Sequence, residues 1–263
     1  MQDGSDSAPG GPAGGPASAL AALVRARQPV VALTGAGTST ASGIPDFRSP
    51  TGWWAQFDPQ IYSALDTYRR DPAKVWEFHG PRMRALAEAR PNPVHDVLAR
   101  LEAAGLLRAV VTQNIDMLHV KAGSREVIEV HGSVRTSSCP GCTRRYPLDE
   151  VVALAEAHGA PPCPGCGRIL KPDVVFFGEL LPERAIERAT ALVREAGLLL
   201  VIGSSLQVWP VAELPALAKG RGAAVAILNA GPTTFDAQAD LRIDADAAAT
   251  MAALAGLLGL DAE

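Results

Sequence analysis

The chain has 263 residues, of which 48% are hydrophobic, so it can bury the core of one large domain with an insert or of two modest domains. Its 24 basic and 28 acidic residues leave a formal net charge of -4, which argues against a nucleic-acid-binding protein that relies on a broad basic face. No stretch approaches the roughly 18 consecutive apolar residues of a membrane span.

The first segment, residues 1–17, consists mainly of Gly, Pro, Ala and Ser. Such a segment buries too little apolar surface to offset the loss of chain entropy, which predicts a disordered tail. It lacks the basic start and the apolar run of a secretory signal peptide, so we expect a cytoplasmic protein. In that compartment, four cysteines are more typical of a metal site than of disulfides.

Short apolar runs alternate with amphipathic stretches along most of the remaining chain. Near-continuous runs of Val, Ile and Leu are typical of parallel strands that helices cover on both faces. Residues 94–104 and 182–196 carry apolar side chains at helical spacing. The alternation predicts an α/β fold with a doubly wound, Rossmann-like parallel sheet. The predicted strands are residues 30–34, 107–112, 127–130, 174–177, 198–202 and 223–228.

Two segments interrupt this alternation. Residues 51–91 hold most of the aromatic side chains in a helical, loop-rich stretch, and residues 135–171 hold all four cysteines. We expect both to be insertions that together form a smaller domain. The Rossmann-like domain would then comprise residues 18–50, 92–134 and 172–263. A ligand would lie in the cleft between the domains, outside the carboxyl ends of the strands.

The first predicted strand runs into a glycine-rich turn that begins Gly35-Ala-Gly-Thr-Ser. Glycines at a strand end let the main chain approach a pyrophosphate. Thr40 takes the place of the third glycine of G-x-G-x-x-G, and no acidic residue closes a second strand about 20 residues on. Alone, this turn fits a nucleotide site and a tight structural turn equally well, and it disfavours a hydride-transferring dehydrogenase.

Polar side chains follow the next two predicted strands. Gln113, Asn114 and Asp116 come after the first of them, and His131-Gly132 follows the second. A histidine that ends a buried strand beside a glycine is a candidate general base. The alternative is a core histidine whose ring nitrogens are satisfied by hydrogen bonds.

The cysteines form two Cys-x-x-Cys pairs separated by 20 residues. Each pair places two thiolates on one side of a tight turn, and two pairs supply a closed tetrahedral set for zinc. Two disulfides or a redox pair are the alternatives, but a redox motif would not occur twice at this spacing. We expect one structural zinc ion, because four protein ligands leave no open position. The ligands would be Cys139, Cys142, Cys163 and Cys166.

Two later strand ends carry small polar residues. Gly203 leads into Ser204 and Ser205, and Asn229 ends the following strand, where it can bond ribose hydroxyls. Each alone is typical of an ordinary turn. Together with the glycine-rich turn after the first strand, they make three such strand ends in one α/β sheet, which favours a dinucleotide cleft.

Taken in order, these blocks resemble the motif series of the sirtuins over about residues 18–257. The matching blocks are Gly35 to Arg48, Thr112 to Asp116, His131-Gly132, the two cysteine pairs, Phe177 to Glu179, Gly203 to Leu206, and Asn229. The resemblance, to the bacterial type of sirtuin, implies NAD-dependent removal of an acyl group from lysine, with nicotinamide, free lysine and O-acyl-ADP-ribose as products. We expect acetyl as the main acyl group and acyl-lysine proteins, including acyl-CoA synthetases, as partners. Neither membrane nor nucleic-acid binding is expected.

The resemblance also implies a role for individual residues. His131 would take a proton from a ribose hydroxyl, and Asn114 would orient ribose and water. Asp116 and Ile44 would hold the nicotinamide carboxamide, and Phe47 would shield the reactive sugar carbon. The implied NAD-binding set is Gly35, Ala36, Gly37, Thr38, Ile44, Asp46, Phe47, Arg48, Gln113, Asn114, Ile115, Asp116, Gly203, Ser204, Ser205, Asn229 and Ala247.

By the same resemblance, an acyl-lysine peptide would add as a strand through main-chain hydrogen bonds. The implied substrate-binding residues are Val175, Phe177, Gly178, Glu179, Val208 and Arg82. Sirtuins that prefer succinyl or malonyl groups carry a Tyr-x-x-Arg pair, whose place here is taken by His79 and Arg82. Arg82 would pair with an acyl carboxylate, or else Gly80-Pro81 breaks a helix and Arg82 is merely solvated.

One further residue departs from the sirtuin pattern, and three rival functions would each account for part of the sequence. Thr38 stands where many sirtuins have isoleucine, which we expect to be tolerated. We assign His95 a packing or capping role, and we place His119 behind Asp116. The rivals are a mono-ADP-ribosyltransferase, a non-enzymatic ADP-ribose sensor and a zinc-ribbon nucleic-acid module. The presence of Asn114, Asp116 and His131 disfavours the sensor, and the α/β majority disfavours the ribbon.

Overall fold

The computed structural model describes residues 15–260. Most of the predicted tail, residues 1–17, lies outside the described residues. Pro16 and Ala17, however, form the first turn of a helix, so the tail prediction is wrong for these two. Proline suits the first position of a helix, because its missing N–H would have had no partner there.

Strands and helices alternate along the described chain. The strands are β1 (Val30–Thr34), β2 (Leu107–Thr112), β3 (Val127–Glu129), β4 (Gly132–Ser138), β5 (Arg145–Pro147), β6 (Lys171–Val174), β7 (Leu198–Ile202), β8 (Ala224–Leu228) and β9 (Leu241–Ile243). The helices are α1 (Pro16–Ala26), α2 (Pro59–Tyr62), α3 (Leu65–Arg70), α4 (Pro72–Glu88), α5 (Pro93–Ala103), α6 (Leu118–Lys121), α7 (Leu148–His158), α8 (Glu183–Glu195), α9 (Leu214–Gly220) and α10 (Ala247–Leu258).

Six strands form one parallel sheet in the order β3-β2-β1-β7-β8-β9. The doubly wound fold is therefore confirmed. Helices cover both faces, as the central strand β1 illustrates: Val30 and Ala32 pack on the side of α1, α5 and α10, whereas Val31 and Leu33 pack on the side of α8 and α9. The strand order reverses between β1 and β7, and ligands of open α/β sheets bind at that point.

The two inserts share a core of their own. Strands β5, β4 and β6 form a small antiparallel sheet, and α7 packs against α4. Two aromatic side chains of the helical insert donate to main-chain oxygens beside the second cysteine pair: Trp76 Nε1 to Leu170 at 2.7 Å, and Tyr68 Oη to Ile169 at 2.7 Å. Both rings are buried in this core.

The structure corrects two local predictions. The strand expected at residues 174–177 is instead β6, which ends at Val174 and pairs antiparallel with β4 in the small sheet. Helix α4 continues through Pro81, so Gly80-Pro81 does not break it. The short strand β9 was not predicted. Within residues 15–260, the helices are all too short or too polar to cross a membrane.

Candidate active site

A cavity of about 850 Å³ opens at the switch point between β1 and β7 and extends to the inserts. It brings together nearly all of the residues that the sequence assigned to NAD and substrate. The predicted residues that line it are Gly35, Ala36, Gly37, Thr38, Asp46, Phe47, Arg48, Arg82, Gln113, Asn114, Ile115, His131, Val175, Phe177, Gly178, Glu179, Gly203, Ser204, Ser205, Val208, Asn229 and Ala247. Ile44 and Asp116 lie outside this wall.

The glycine-rich turn touches the end of β7 directly. The N–H of Gly37 donates to the carbonyl oxygen of Gly203 at 2.9 Å. A Cβ atom on Gly37 would lie 2.8 Å from Cα of Gly203, and one on Gly203 would lie 2.3 Å from the nitrogen of Thr38. Gly203 also has a φ of 62°, a conformation that glycine adopts without strain. Glycine is therefore required at both positions for this close approach.

The side chain of Asn114 is anchored in the same turn. Its Nδ2 lies 3.1 Å from the carbonyl oxygen of Gly35, 2.9 Å from the hydroxyl of Thr38 and 3.1 Å from that of Ser39. The Thr38 hydroxyl in turn donates to the Gly35 oxygen at 2.7 Å. The hydroxyl of Thr38 thus makes two hydrogen bonds that hold Asn114 against the turn.

Asp116 supports the wall from behind rather than forming it. One carboxylate oxygen accepts from the Ser39 hydroxyl at 2.7 Å, and the other accepts from the N–H of Leu118 at 2.9 Å. Ile44 packs with Ile115 against the core of the inserts. The expected contact of Asp116 and Ile44 with nicotinamide stays a prediction.

His131 has a defined tautomer. Its Nδ1 lies 3.0 Å from the main-chain oxygen of Gln113, and only a protonated nitrogen can bond there. In the neutral ring, Nε2 therefore carries the lone pair. Burial lowers the pKa of His131, the bond to Gln113 opposes this, and the positive charge of Arg48 lowers the pKa further. The ring is thus neutral at neutral pH and able to accept a proton at Nε2.

Side chains at the ends of β2 and β8 also make hydrogen bonds within the protein. Gln113 Nε2 donates to the hydroxyl of Ser204 at 2.9 Å, which joins the tips of β2 and β7. Asn229 Nδ2 donates to the main-chain oxygens of Ala230 at 3.1 Å and Gly231 at 3.0 Å. These side chains are held in place without any ligand.

The segment that follows β6 connects the site to the helical insert. Both main-chain groups of Phe177 are hydrogen-bonded. Its N–H donates to the carbonyl oxygen of Ser63 at 2.8 Å, and its carbonyl oxygen accepts from the N–H of Leu65 at 2.9 Å. Glu179 accepts from the N–H of Phe176 at 2.8 Å and pairs with Lys171 at 2.9 Å. Phe177 therefore offers its ring, not its main chain, to the cavity.

Arg82 is buried, so the expectation that it is merely solvated is wrong. It is 7% exposed, and its guanidinium makes no hydrogen bond or ion pair within residues 15–260. Its guanidinium carbon lies 4.2 Å from the ring centre of Phe78, 4.8 Å from Trp53 and 5.5 Å from Phe47. Burial lowers its pKa to about 10, which still leaves it charged at neutral pH. The guanidinium is therefore surrounded by aromatic rings, and no carboxylate among residues 15–260 pairs with it.

His79 lies in α4, three residues before Arg82. It also lines the cavity and lies 3.1 Å from the hydroxyl of Ser63. Burial, with the positive charges of Arg82 and Lys171, lowers its pKa to about 3. His79 is therefore a neutral hydrogen-bonding group at this end of the cavity.

Sequence reasoning missed part of the wall. At the start of α10, only Ala247 was expected to line the site. The aromatic rings of the helical insert were not assigned to it. The missed lining residues include Trp54, Ser63, Phe78, Gln207, Trp209, Gly231, Ala245 and Asp246. Asp246 caps α10 by accepting from Ala249 at 2.7 Å. Its N-cap residue type was the available signal for this helix start.

The four cysteines form a cluster away from the cavity. Their sulfur atoms all lie within 4.8 Å of one another, with 3.4 Å between Cys139 and Cys166 and 3.6 Å between Cys142 and Cys163. A disulfide requires about 2.05 Å. A zinc ion with bonds of about 2.3 Å would place its thiolates roughly 3.8 Å apart. The donor set and its spacing therefore fit zinc and exclude two disulfides.

Comparison with known proteins identifies the family. The model of the Sir2 family matches residues 35–210, which include the glycine-rich turn, His131 and all four cysteines. The chain belongs to the Sir2 family.

Relatives and solved structures agree with this assignment. An NAD-dependent protein deacetylase of Sulfolobus acidocaldarius is 46% identical over 227 residues, which are 86% of this chain and 89% of that protein. A solved Sir2 variant with a deacetylated p53 peptide and 3'-O-acetyl ADP ribose is 37% identical with a TM-score of 0.89, covering 93% of this chain and 99% of its own. A Sir2 complex with a p53 peptide and NAD+ is 38% identical with a TM-score of 0.85, covering 92% and 98%.

Proposed function

We propose that this protein is an NAD-dependent protein-lysine deacetylase. It converts acetyl-lysine, NAD and water into lysine, nicotinamide and O-acetyl-ADP-ribose. One observation carries the proposal: His131, in the tautomer that leaves Nε2 free, shares a cavity with the glycine-rich turn at the switch point. Membership of the Sir2 family, whose relatives are named as NAD-dependent deacetylases, supports it.

The cavity residues fit the parts of NAD. Without side chains at Gly37 and Gly203, the main chain of the glycine-rich turn would be open to the pyrophosphate. Ser204 and Asn229 at the neighbouring strand ends would bond ribose hydroxyls. When bound there, NAD would supply the reactive ribose carbon, whose bond to nicotinamide is exchanged for a bond to the acyl oxygen.

The chain itself handles the proton and excludes water. His131 would accept a proton from a ribose hydroxyl, since its Nε2 carries a lone pair at neutral pH. Asn114, anchored to the turn, would orient that ribose. The rings of Phe47 and Trp54, 4.9 Å apart, would cover the reacting centre and keep competing water away.

We infer that acyl-lysine proteins are the substrates and that Val175, Gly178 and Val208 form the lysine channel. The main chain of Phe177 is already paired with the helical insert, so a peptide strand must use its neighbours. Acetyl is the main acyl group. Acidic acyl groups are a second candidate, because the unpaired guanidinium of Arg82 lines the same cavity.

We also infer that the cysteine cluster holds one structural zinc ion. Four thiolates close the coordination sphere and leave no site for a reacting water. Cys139 and Cys163 are buried in the core that the inserts share, so the ion would stabilise the cavity wall rather than take part in the reaction.

Mass spectrometry of an acetyl-lysine peptide incubated with the protein, with and without NAD, tests the proposal. We expect loss of the acetyl group only with NAD, with one nicotinamide and one O-acetyl-ADP-ribose formed per lysine. Transfer of ADP-ribose to protein instead would support the mono-ADP-ribosyltransferase. A peptide that keeps its acetyl group in the presence of NAD would contradict the proposal.

A further inference from the structure

Two buried histidines behind the cavity each have one ring nitrogen without a hydrogen-bond partner among residues 15–260. These atoms are Nε2 of His95, in α5, and Nδ1 of His119, in α6. The side chains are 0% and 2% exposed, and the ring centres lie 4.7 Å apart with 56° between the ring planes. A buried polar atom without a partner is costly, so two of them this close require an explanation.

The second nitrogen of each ring fixes its tautomer. Nδ1 of His95 accepts from the main-chain N–H of Asn92 at 3.3 Å, so the proton of the neutral ring is on Nε2. The hydroxyl of Thr34 donates to that of Thr112 at 2.8 Å, so it must accept from Nε2 of His119 at 2.9 Å. Nδ1 of His119 therefore carries a lone pair. His95 offers a donor where His119 offers an acceptor.

Both rings are neutral, as this assignment requires. Burial, with the neighbouring His95, lowers the pKa of His119 to about 3. Burial also lowers the pKa of His95, although the carboxylates of Asp116 and Asp96 act in the opposite direction.

We propose that His95 and His119 are positioning residues for the reaction: with the ring centres 4.7 Å apart, a rotation of the rings lets His95 Nε2–H donate to His119 Nδ1, so that the two nitrogens without a partner in this structure satisfy each other. The chain of hydrogen bonds that results runs from Asn92 through the two imidazoles to Thr34 and Thr112. This proposal rests on the proposed deacetylase function, because it assigns the pair a task in holding that site.

Both ends of this chain lie at the active site. At one end, Asn92 Nδ2 donates to the main-chain oxygen of Thr38 at 2.8 Å and to the hydroxyl of Ser42 at 2.9 Å, both in the glycine-rich turn. At the other end, the hydroxyl of Thr112 accepts from the main-chain N–H of Asn114 at 3.0 Å. The histidine pair therefore ties the main chain of Asn114 to the turn that Asn114 contacts through its side chain.

Nitrogen NMR of the full chain with labelled histidine tests the pairing directly. We expect His95 and His119 both to be neutral and protonated on Nε2, with spectra of His95→Phe and His119→Phe supplying the assignment. A proton on Nδ1 of His119 would overturn the pairing. This measurement needs no turnover, so it separates a failure of the pairing from a failure of the proposed reaction.

Two substitutions of His119 separate positioning from the filling of space. Glutamine keeps a donor for Thr34 but fits the ring-shaped space poorly, whereas phenylalanine keeps the ring and loses both nitrogens. If His119 positions Asn114, kcat/KM for NAD falls about tenfold or more in His119→Phe and stays within about threefold in His119→Gln. A phenylalanine variant that matches or exceeds the glutamine variant would overturn the positioning role.

The double variant completes a cycle. Each single phenylalanine leaves a partner nitrogen buried and unpaired, whereas His95→Phe with His119→Phe removes both. We expect kcat/KM of the double variant to equal that of the worse single variant, a coupling of about tenfold. Losses that multiply would overturn the pairing. Val97→Ala, fully buried in the same helix, is the control: its melting temperature falls while kcat/KM at the assay temperature is unchanged.

Discussion

On the sheet side of the cavity, polar side chains are bonded to the protein itself, whereas the insert side carries a cation without an anion. Asn114 and Gln113 each reach a neighbouring strand end through their amides. Arg82, on the opposite side, has only aromatic rings around its guanidinium. Both sides line one cavity, yet the buried guanidinium of Arg82 has no hydrogen-bond partner among residues 15–260, whereas the amides of Gln113 and Asn114 have theirs.

The difference matches the two things that the site must recognise. NAD is the same molecule in every turnover, so its side of the cavity can be preorganised for one ligand. Side chains that already have the right positions need not reorganise when NAD binds. The acyl group and the peptide vary, and the insert side meets them with rings and one charge. We therefore expect substitutions on the sheet side to affect every substrate equally, and substitutions on the insert side to discriminate between acyl groups.

The strongest test of the sheet side is His131→Ala. Loss of the general base should lower kcat for deacetylation by about 10²–10⁴-fold, with the affinity for NAD within a few-fold of the parent protein. Single-turnover kinetics and calorimetric titration with NAD measure the two quantities. Retained kcat would remove His131 from the mechanism.

Loss of a cysteine should affect the insert side first. Cys163→Ala removes one of four ligands and should reduce bound zinc below one per chain, because structural zinc contributes roughly 10–16 kcal/mol in small domains. We expect the insert core to unfold at a lower temperature than in the parent protein, and deacetylation to be lost. Metal analysis measures the bound zinc, and circular dichroism measures the unfolding. Arg145→Ala, an exposed neighbour in β5, serves as the control and should keep its zinc. Full zinc and an unchanged melting curve in Cys163→Ala would contradict the metal site.

Gly203→Ala tests the close approach on the sheet side. Its Cβ would lie 2.3 Å from the Thr38 nitrogen, so the glycine-rich turn must shift and NAD affinity should fall about tenfold or more. Gly259→Ala is a matched control, because Gly259 has a φ of 70° but open space around its Cβ. The control should lose only about 1–2 kcal/mol of stability. Equal effects of the two variants would mean that backbone conformation alone, rather than contact, requires Gly203.

Arg82→Met sharpens the comparison from the insert side. Loss of the charge should leave the rate of deacetylation within about threefold of the parent protein. The rate of desuccinylation, if present, should fall about tenfold or more, because a charge-assisted hydrogen bond to the succinyl carboxylate is lost. Acetyl- and succinyl-lysine peptides of one sequence measure both rates. Arg84→Met, in the same helix but exposed, should change neither. A parallel loss of both activities in Arg82→Met would assign Arg82 to the structure of the wall instead.

The smallest expected effect is a shift in the pH dependence of deacetylation. If His131 is the base, deacetylation requires its neutral ring, so the rate falls as the pH drops through the pKa of that ring. Because burial and Arg48 lower this pKa in the free protein, the acid limb of kcat/KM should lie below the ordinary value of about 6.5. Arg48→Met removes a nearby positive charge and should move the limb to higher pH. An acid limb above the ordinary value would contradict the neutral-base assignment.

The sheet side was predictable from sequence because its signals are local. A buried strand followed by glycine, amide or histidine places these groups at one edge of a parallel sheet, whatever the packing details. The start of α10 was only partly predicted, since β9 has three residues and gives a weak pattern. The tautomer of His131 depends on the carbonyl of Gln113, a contact between two strands that periodicity does not reveal.

The insert side was less predictable because tertiary packing overrides local preference there. Pro81 lies inside α4, where proline removes a hydrogen bond, yet the helix continues because it packs against α7 and the small sheet. The apolar run after Val174 suggested another parallel strand, but an apolar run does not say which sheet it joins. The burial of Arg82 among aromatic rings likewise depends on contacts between α4 and the loop before α2.

The common core of the two inserts has a mechanical consequence. Since the side chains of Trp76 and Tyr68 donate to the main chain beside the second cysteine pair, hydrogen bonds as well as a shared core join the helical and cysteine-bearing parts. A displacement of either part would therefore move Arg82 and the four cysteines together, while the glycine-rich turn is held to the sheet by its contact with the end of β7.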